Sequence, residues 1–315
     1  MKLQNPDAWR KQVNDAFVEL KATHPERLKQ RLTMSWSNWG FGLESLSVSA
    51  ARLSKAGLQY IELHGNHYGP DLGYRVPEST QILSDNGLKV SGVCGMFSPE
   101  NEFASSSHVA RQRAIGYTRR EVSFCHAMGG EYLLVVPAAV GRTVAYDTSE
   151  RHRSVQSLRI VADEFVAAGV KGAVEPIRSA EVTIVHSVTD AVRYIEDVDR
   201  PGIQHINGDV YHMQVEEANI PLAILAAGDR LVNLHLADSN RLGLGKGSLD
   251  VDTIIKALYL IGHNVPGRYV TPEPLGPGAG PYPVMHSLQD PAVLDELVFG
   301  TVTYWREREE EVLAS

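Results

Sequence analysis

The sequence has few cysteines and no segment typical of exported or membrane proteins. Cys94 and Cys125 are the two cysteines in 315 residues, and they form neither a CxxC pair nor a disulfide framework. We therefore expect reduced thiols in a cytoplasmic protein. The N-terminal stretch MKLQNPDAWRKQ is polar and lacks the apolar core of a signal peptide. No run approaches the roughly 20 apolar residues that a membrane helix needs.

The sequence also lacks excess positive charge and a dinucleotide-binding motif. Its formal net charge is −8 and its basic residues are scattered, so we expect no nucleic acid or anionic membrane as a partner. No GxGxxG motif follows the first predicted strand, which argues against a dinucleotide-binding α/β fold. The composition is otherwise ordinary, with 43% hydrophobic and 22% charged residues, and predicts a globular protein with a large core.

Beyond residue 30, predicted strands and helices alternate without a composition break that would mark a linker. The eight predicted strands are residues 31–40, 60–67, 89–96, 131–139, 170–177, 203–213, 231–239 and 268–275. Most of the helical segments between them end at glycine or Asn-Gly. Strict alternation predicts a parallel sheet covered by helices, and eight units fit a closed (β/α)₈ TIM barrel, an α/β fold. A doubly wound open sheet is the alternative, although it rarely contains eight units in one series.

The first 30 residues do not fit this alternation and predict one or two amphipathic helices. We interpret residues 1–30 as an N-terminal helical arm and residues 31–315 as a single barrel domain that includes a C-terminal helix. The arm would either cover the bottom of the barrel or bind another subunit. The sequence favours neither alternative.

Several predicted strands end in polar residues, at the barrel face where TIM-barrel chemistry takes place. These residues are Glu62, His64 and Asn66 on the second strand, Glu175 on the fifth, Asp209 and His212 on the sixth, His235 on the seventh and Glu273 on the eighth. The last four strands are consecutive, and neighbouring barrel strands lie about 4.8 Å apart. We therefore expect four side chains to converge near the barrel axis, namely those of Glu175, Asp209, His235 and Glu273.

Three carboxylates and one imidazole at one point predict a bound cation. Without one, repulsion and desolvation would raise the pKa values of the carboxyl groups. Three oxygen ligands and one nitrogen ligand suit Mn²⁺, Mg²⁺ or Co²⁺ better than a closed structural zinc site. Each residue has an ordinary alternative role: His235 as a core histidine, Asp209 as a turn residue, and each glutamate as a loop cap. Their matching positions on consecutive strands favour the metal site.

Further motifs follow in a fixed order along the second half of the chain. The pair Glu175-Pro176 is followed by Glu181, Asp209 precedes His212 by three residues, and His235 precedes Arg241 by six; Gly245-Lys246-Gly247 and Glu273-Pro274 complete the series. In this order, and over residues 31 to about 290, they resemble the ketose 3-epimerases, which include tagatose and psicose epimerases. Those enzymes belong to the xylose-isomerase-like barrels of the sugar phosphate isomerase/epimerase superfamily.

This resemblance implies a metal-dependent enzyme that acts on a keto sugar. The metal, with Mn²⁺ the first candidate, would polarise the sugar carbonyl and acidify the neighbouring C–H bond. Glu175 and Glu273 would be both metal ligands and acid–base groups, and His212 would be a further catalytic group. Arg241, Glu181 and His64 would contact the substrate. Their ordinary alternatives are a solvated loop arginine, a surface glutamate and a plain pocket-wall histidine.

As a whole, the chain is most similar to the catalytic subunits of bacterial C-glycoside deglycosidases. Those proteins pair with a small β-sandwich subunit, and the resemblance therefore implies a hetero-oligomer. Residues 35–42 (SWSNWGFG) and 276–291 (GPGAGPYPVMHSLQDP) would offer aromatic and apolar surface to an aromatic aglycone. The implied reaction removes the C2 proton of a 3-keto-glucosyl unit, with His64 or His212 as candidate base, and expels the aglycone by elimination.

Three other functions are weighed against this lyase. A ketose 3-epimerase or keto-sugar isomerase with the same two glutamates is the main alternative, because it needs the same metal site and the same proton abstraction. An AP endonuclease on this barrel would need three metals and a basic face, which the net charge of −8 disfavours. A non-catalytic barrel would be expected to lose one of the two glutamates, and both are present.

Overall fold

The structure, a computed structural model, describes residues 6–65, 73–275 and 281–315. Asn66 and the first five residues of the glycine-rich segment 276–291 lie outside the described residues. Within them, seven strands are assigned: β1 (Tyr60–His64), β2 (Lys89–Cys94), β3 (Tyr132–Val135), β4 (Lys171–Val174), β5 (His205–Asp209), β6 (Leu231–Leu236) and β7 (Tyr269–Pro272).

The described helices alternate with these strands. They are α1 (Pro6–Thr23), α2 (Leu46–Lys55), α3 (Val76–Asp85), α4 (His108–Ala127), α5 (Glu150–Ala168), α6 (Val188–Val198), α7 (Val210–Glu216), α8 (Ile220–Ala227), α9 (Val251–Leu260), α10 (Pro281–Met285) and α11 (Pro291–Ala314). All strands are parallel, and each pairs with the next one in the chain from β1 to β7. Sequential order is the pattern of a TIM barrel and not of a doubly wound sheet, so the predicted fold is confirmed.

The first predicted strand is the one that departs from regular geometry. It forms isolated parallel bridges instead of a ladder, between Met34 and Val270 of β7 and between Ser37 and Glu62 of β1. The Ser35 N–H donates to the Val270 carbonyl at 2.9 Å, and the Glu62 N–H donates to the Trp36 carbonyl at 2.8 Å. The segment thus changes partner within four residues. It occupies the eighth position and closes the barrel without forming a regular strand.

The barrel interior changes from aromatic to polar along the strands. At the N-terminal end, the rings of Tyr60 and Tyr269 lie 5.1 Å apart and those of Tyr132 and Tyr269 lie 6.1 Å apart. The next inward residues are Glu62, Asn207, Asn233 and Thr271, which are fully buried. Such polar groups need partners inside the barrel. The chemistry is therefore concentrated towards the C-terminal ends of the strands.

The N-terminal residues pack against the barrel. Phe17 of α1 is buried and lies 6.3 Å, ring to ring, from Tyr259 of α9. Beyond α1, the Asn264 amide donates to the carbonyl oxygens of Arg27 at 2.6 Å and Gln30 at 2.8 Å. The division into arm and barrel, and the binding of another subunit by the arm, stay predictions. None of the described helices combines the length and apolar character needed to cross a bilayer.

Candidate metal and substrate site

The four predicted metal ligands lie together at the C-terminal ends of the last four strands. Glu175 follows β4, Asp209 ends β5, His235 lies near the end of β6, and Glu273 follows β7. All four are buried. Pairing between the strands places these residues at a similar level along the barrel axis. Asp209 stands opposite His235 in the β5–β6 register, and the Glu273 N–H donates to the Leu236 carbonyl at 2.8 Å. The structure thus brings this predicted set together.

The distances within this set suit one small cation. Nδ1 of His235 lies 3.6 Å from Oε1 of Glu175 and 3.3 Å from Oε1 of Glu273. One ligand atom each from Glu175, Asp209 and His235 lie within 4.8 Å of one another. Carboxylate oxygens with a single imidazole nitrogen form a donor set suited to Mn²⁺ or Mg²⁺.

The electrostatics of the cluster also fit a cation. Burial, the largest cause, and neighbouring carboxylates raise the pKa of Glu175, Asp209 and Glu273 to about 7 each, although His235 lowers all three. Burial, the largest single cause, lowers the pKa of His235, but the charges of Glu273 and Glu62 and the hydrogen bonds to Glu175 and Glu62 together raise it well above its ordinary value. Without a cation, these carboxyl groups therefore tend to keep their protons. A divalent cation would instead compensate the negative charge of the ionised carboxylates, and the residues present fit such an ion.

A second layer of polar side chains supports the four residues from below. The Asn207 amide donates to Oε1 of Glu175 at 2.9 Å, the Asn233 amide donates to Asn207 at 2.7 Å, and the Thr271 hydroxyl donates to Asn233 at 2.6 Å. These three residues are not among the predicted site residues. Their signal was present, because each precedes one of the predicted ligands by two positions and therefore faces the same side of its strand.

A cavity above the cluster contains most of the other predicted site residues. Its lining includes Trp39, Cys94, Met96, Phe97, Val140, Glu175, Glu181, His212, Arg241 and Glu273. The indole of Trp39, part of the predicted aromatic segment 35–42, donates a hydrogen bond to Glu273. The inner cavity has a volume of about 50 Å³. That is less than the roughly 300–1,000 Å³ typical of a small-molecule site.

His212 is a neutral histidine at the edge of the cluster. Its Nε2 lies 3.3 Å from Oδ2 of Asp209, whereas its Nδ1 is buried and has no hydrogen-bond partner among the described residues. Burial, and then the charge of Arg241, lowers the pKa of His212 well below its ordinary value. The ring of His212 also lines the inner cavity, next to Glu175 and Arg241.

Arg241 is held at the cavity by a tight turn and an aromatic ring. Its φ of 61° lies in the left-handed region, and its N–H donates to the Asp238 carbonyl at 2.8 Å. The guanidinium lies 4.1 Å from the ring centroid of Tyr211. The Asp238 carboxylate accepts the Gly245 N–H at 2.8 Å, and at Gly247 a Cβ atom would lie 2.2 Å from that carboxylate. This explains the predicted glycine turn after Arg241.

Two predicted substrate contacts lie in different surroundings. Glu181 lines the metal cavity and forms an ion pair with Arg178 at 2.6 Å, and Arg178 lies 4.5 Å from the Tyr211 ring, which Arg241 also contacts. His64 lines a neighbouring cavity together with Tyr74, at a ring distance of 5.1 Å. The structure therefore brings Glu181 to the metal cavity but not His64, whose predicted substrate contact stays a prediction.

A larger cleft of about 1290 Å³ adjoins the inner cavity. Met96 and Val140 line both spaces, so the two are contiguous. Helix α4 forms one wall of the cleft, with Gly116 and the exposed side chains of Arg113 and Arg120. The cleft therefore offers a partly basic surface next to the candidate metal site.

Residues 50–283 match the model of the xylose isomerase-like TIM barrel family. The chain belongs to this family. This assignment confirms the resemblance that the motifs predicted. The match runs from α2 to α10 and includes the four candidate metal ligands.

Relatives of this xylose isomerase-like barrel are named as sugar epimerases. The ketose 3-epimerase of Arthrobacter globiformis is 25% identical over 228 residues, which cover 72% of this chain and 77% of the relative. The 3-dehydro-D-guloside 4-epimerase of Escherichia coli K12 is 26% identical over 230 residues, which cover 70% and 85%. The D-psicose 3-epimerase of Clostridium cellulolyticum H10 superposes with a TM-score of 0.76 at 22% identity, over 88% of this chain and 99% of that structure.

Proposed function

We propose that this protein is a divalent-metal-dependent epimerase that acts on a carbon next to a keto-sugar carbonyl. The observation that carries the proposal is the placement of Glu175 and Glu273. Their carboxylates flank Nδ1 of His235 at 3.6 and 3.3 Å, and they enter the buried cavity from strands β4 and β7, three strands apart. Two such carboxylates can address opposite faces of one carbon atom. The names of the relatives, which are sugar epimerases, support an epimerase better than the predicted lyase.

The metal would be held by Glu175, Asp209, His235 and Glu273, with Mn²⁺ as the first candidate. When bound, it would supply Lewis acidity that favours loss of the proton next to the carbonyl. One glutamate carboxylate takes that proton from the sugar carbon, and the other returns a proton to the opposite face. Asn207 holds Oε1 of Glu175 and Trp39 holds Oε1 of Glu273. Each carboxylate is therefore oriented before the sugar binds.

His212 and Arg241 would hold the sugar oxygens. The neutral ring of His212 lines the cavity and can pair with a sugar hydroxyl, and the buried guanidinium of Arg241 can stabilise negative charge that develops on an oxygen. Glu181 lines the same cavity and would also contact the sugar, while its carboxylate stays paired with Arg178. Bulk water is kept out by the apolar side chains of Phe97 and Ile177, which line the same cavity.

The test is proton exchange on a panel of keto sugars. The purified protein, loaded with Mn²⁺ in D₂O, should introduce deuterium next to the carbonyl of a free ketose and produce its epimer, as followed by NMR. Glu175→Gln and Glu273→Gln should each slow exchange by about 10²–10⁴-fold. Glu196→Gln, which changes an exposed carboxylate on α6, is the matched control and should exchange at the parental rate. Exchange that survives both glutamine variants would contradict the proposal.

A second candidate function is cleavage of a 3-keto-C-glucoside, and the adjoining cleft favours it. The inner cavity of about 50 Å³ has room for only an ion and a few waters, so a bound sugar would extend past Met96 towards the cleft of about 1290 Å³. That cleft has room for an aglycone. In this reaction a base removes the C2 proton, the C1–aglycone bond breaks, and the aglycone leaves with the bonding pair and takes up a proton.

The same panel separates the two candidates. Exchange and epimer formation on free ketoses would support the epimerase. Release of the aromatic aglycone from a 3-keto-C-glucoside would instead support the lyase. Exchange at C2 without release would indicate that the predicted small β-sandwich partner subunit is required. That partner, like the oligomeric state, stays a prediction.

A further inference from the structure

Glu62 lies behind His235, on the side of the imidazole away from the substrate cavity. It is fully buried in β1, and its two carboxylate oxygens lie 2.9 and 3.0 Å from Nε2 of His235. The other ring nitrogen, Nδ1, faces Glu175 and Glu273. The imidazole is therefore held between one carboxylate below it and two carboxylates above it.

Glu62 is not placed to touch substrate. It does not line the inner cavity, whereas Glu175 and Glu273 do. Its Oε2 also accepts the Tyr132 hydroxyl at 2.6 Å, and the Asn233 amide lies 3.5 Å away. Glu62, Cys94 and Glu273 would be close enough to share an ion. However, the oxygens of Glu62 are already paired with His235 and Tyr132, which disfavours Glu62 as a direct ligand.

A neutral imidazole carries one proton, and its hydrogen-bond partner decides which nitrogen bears it. An acceptor at Nε2 keeps the proton there and leaves the lone pair on Nδ1. We propose that Glu62 is a positioning residue, which accepts the Nε2–H of His235 and thereby directs the Nδ1 lone pair at the metal. This inference rests on the proposed metal site and adds to it a carboxylate that the predicted ligand set did not include.

The surroundings of Glu62 make it a rigid support. Its backbone N–H donates to Trp36 in the segment that closes the barrel, and it stands opposite Gly92 in the β1–β2 register. Tyr132, which holds its carboxylate, belongs to the aromatic layer at the bottom of the barrel. Carboxylates that orient a metal-bound histidine are typically worth about 10–100-fold in metal affinity. The expected effect is therefore large enough to measure directly.

The experiment is a calorimetric titration of the chelator-treated full chain with Mn²⁺. The parent should bind one ion per chain. Glu62→Gln should still bind one ion, with a Kd about 10–100-fold higher, because the amide can present its N–H₂ to Nε2 and favour the wrong tautomer. Tyr132→Phe is the matched control, since it removes a donor to Glu62 but keeps the carboxylate, and its Kd should rise less. With Co²⁺ at saturation, the visible spectrum of Glu62→Gln should also differ from that of the parent.

The outcomes are distinguishable. If the parent binds Mn²⁺ and Glu62→Gln binds it equally well with an unchanged Co²⁺ spectrum, the inference is wrong. If the parent binds two ions and Glu62→Gln binds one, Glu62 is a ligand and the inference is also wrong. If the parent binds none, the proposed metal site itself fails. Should Glu62→Gln not fold, as judged by circular dichroism, Glu62→Asp applies the same test, because its shorter carboxylate should reach Nε2 less well and weaken Mn²⁺ binding.

Discussion

The indole N–H of Trp39 donates a hydrogen bond to Oε1 of Glu273. Trp39 lies in the 3₁₀ helix Asn38–Phe41, directly after the segment that closes the barrel, and Glu273 follows the last strand. The contact therefore joins the first and last strand positions of the barrel at the candidate site. Both side chains are nearly inaccessible, at 3% and 8% exposure. The indole fixes Oε1, which is also the carboxylate oxygen that lies 3.3 Å from Nδ1 of His235.

Replacing this indole should slow proton transfer without emptying the metal site. Trp39→Phe keeps an aromatic ring but removes the N–H, and a hydrogen bond to a charged group is worth about 1.5–3 kcal/mol. We expect exchange next to the sugar carbonyl to slow by about 10–100-fold, measured by NMR in D₂O, with Mn²⁺ still bound at one ion per chain. Trp305→Phe is the matched control, because the Trp305 indole is buried and has no hydrogen-bond partner among the described residues. An equal loss in both variants would contradict a specific role for Trp39.

Removal of the metal should make stability depend on pH through the carboxylate cluster. The pKa values of Glu175 and Glu273 are raised from 4.5 to about 7, mainly by burial. Such a group contributes stability below its unfolded pKa, and the contribution is lost as the pH rises through the folded pKa, so the window runs from about 4.5 to about 7. Because cations bind the ionised carboxylates, Mn²⁺ should raise the melting temperature more at pH 8 than at pH 5.5.

In the metal-free protein, two buried histidines also make stability depend on pH, so a variant is needed to isolate the contribution of the carboxylate cluster. Burial lowers the pKa of His205 and His263 to about 4, so these groups change stability in the opposite direction below about pH 6.5. Asp209→Asn removes one clustered carboxyl group and keeps both histidines. Between pH 5.5 and pH 8, the melting temperature of Asp209→Asn should shift upward relative to the parent by a few degrees, about 1 kcal/mol or more. A difference that is independent of pH would contradict the prediction.

The four candidate ligands could be predicted from sequence because parallel strands convert linear position into spatial position. Each of the four lies at the end of one of four successive strands, and inward-facing side chains at these ends converge near the barrel axis. Asn207 and Thr271 each lie two positions before a candidate ligand and face the same side of the strand. The alternation of side chains along a strand is therefore enough to predict them. Glu62 is the middle residue of β1, and nothing in its spacing indicates that it pairs with His235, because the strands of these two residues lie far apart in the chain.

Other features depend on loop geometry that periodicity does not encode. The first predicted strand has the composition of a strand, yet it pairs with β7 and then β1 through isolated bridges, because it must cross from one neighbour to the other. His64 ends its strand as predicted but lies along a different cavity, together with Tyr74. The stacking of both Arg178 and Arg241 on Tyr211 arises where two loops meet and has no sequence signature.

This stacking predicts that lysine cannot replace Arg241. The guanidinium of Arg241 is buried against the Tyr211 ring and lines the cavity, whereas Arg178 contacts the same ring without lining that cavity. Lysine lacks a planar group that can stack and form directed hydrogen bonds at once. Arg241→Lys and Arg241→Ala should therefore both lower kcat/KM by about 10–100-fold, whereas Arg178→Lys should change it less. Full activity in Arg241→Lys would show that only the charge is needed.

The cleft beside the cavity predicts a split between small and large substrates. Gly116 lines the cleft on helix α4, and a Cβ at that position would meet only Arg120, at 3.8 Å. The Cβ of Gly116→Phe therefore has room, we expect its ring to occupy part of the cleft, and replacing a helical glycine does not weaken the helix. We expect kcat/KM for a 3-keto-glucoside with an aromatic aglycone to fall at least about 10-fold, because the added ring would take up space that the aglycone needs. The rate for a free ketose should change little.

Gly300→Phe supplies the control for this prediction, because Gly300 also lies in a helix, α11, and has no atom near its Cβ position. It should leave both substrates unaffected. If Gly116→Phe slows both substrates equally, the cleft belongs to the sugar site itself, since a free ketose would then also depend on it. If it slows neither, the cleft takes no part in binding, and the space needed for a sugar must come from movement of the residues around the inner cavity.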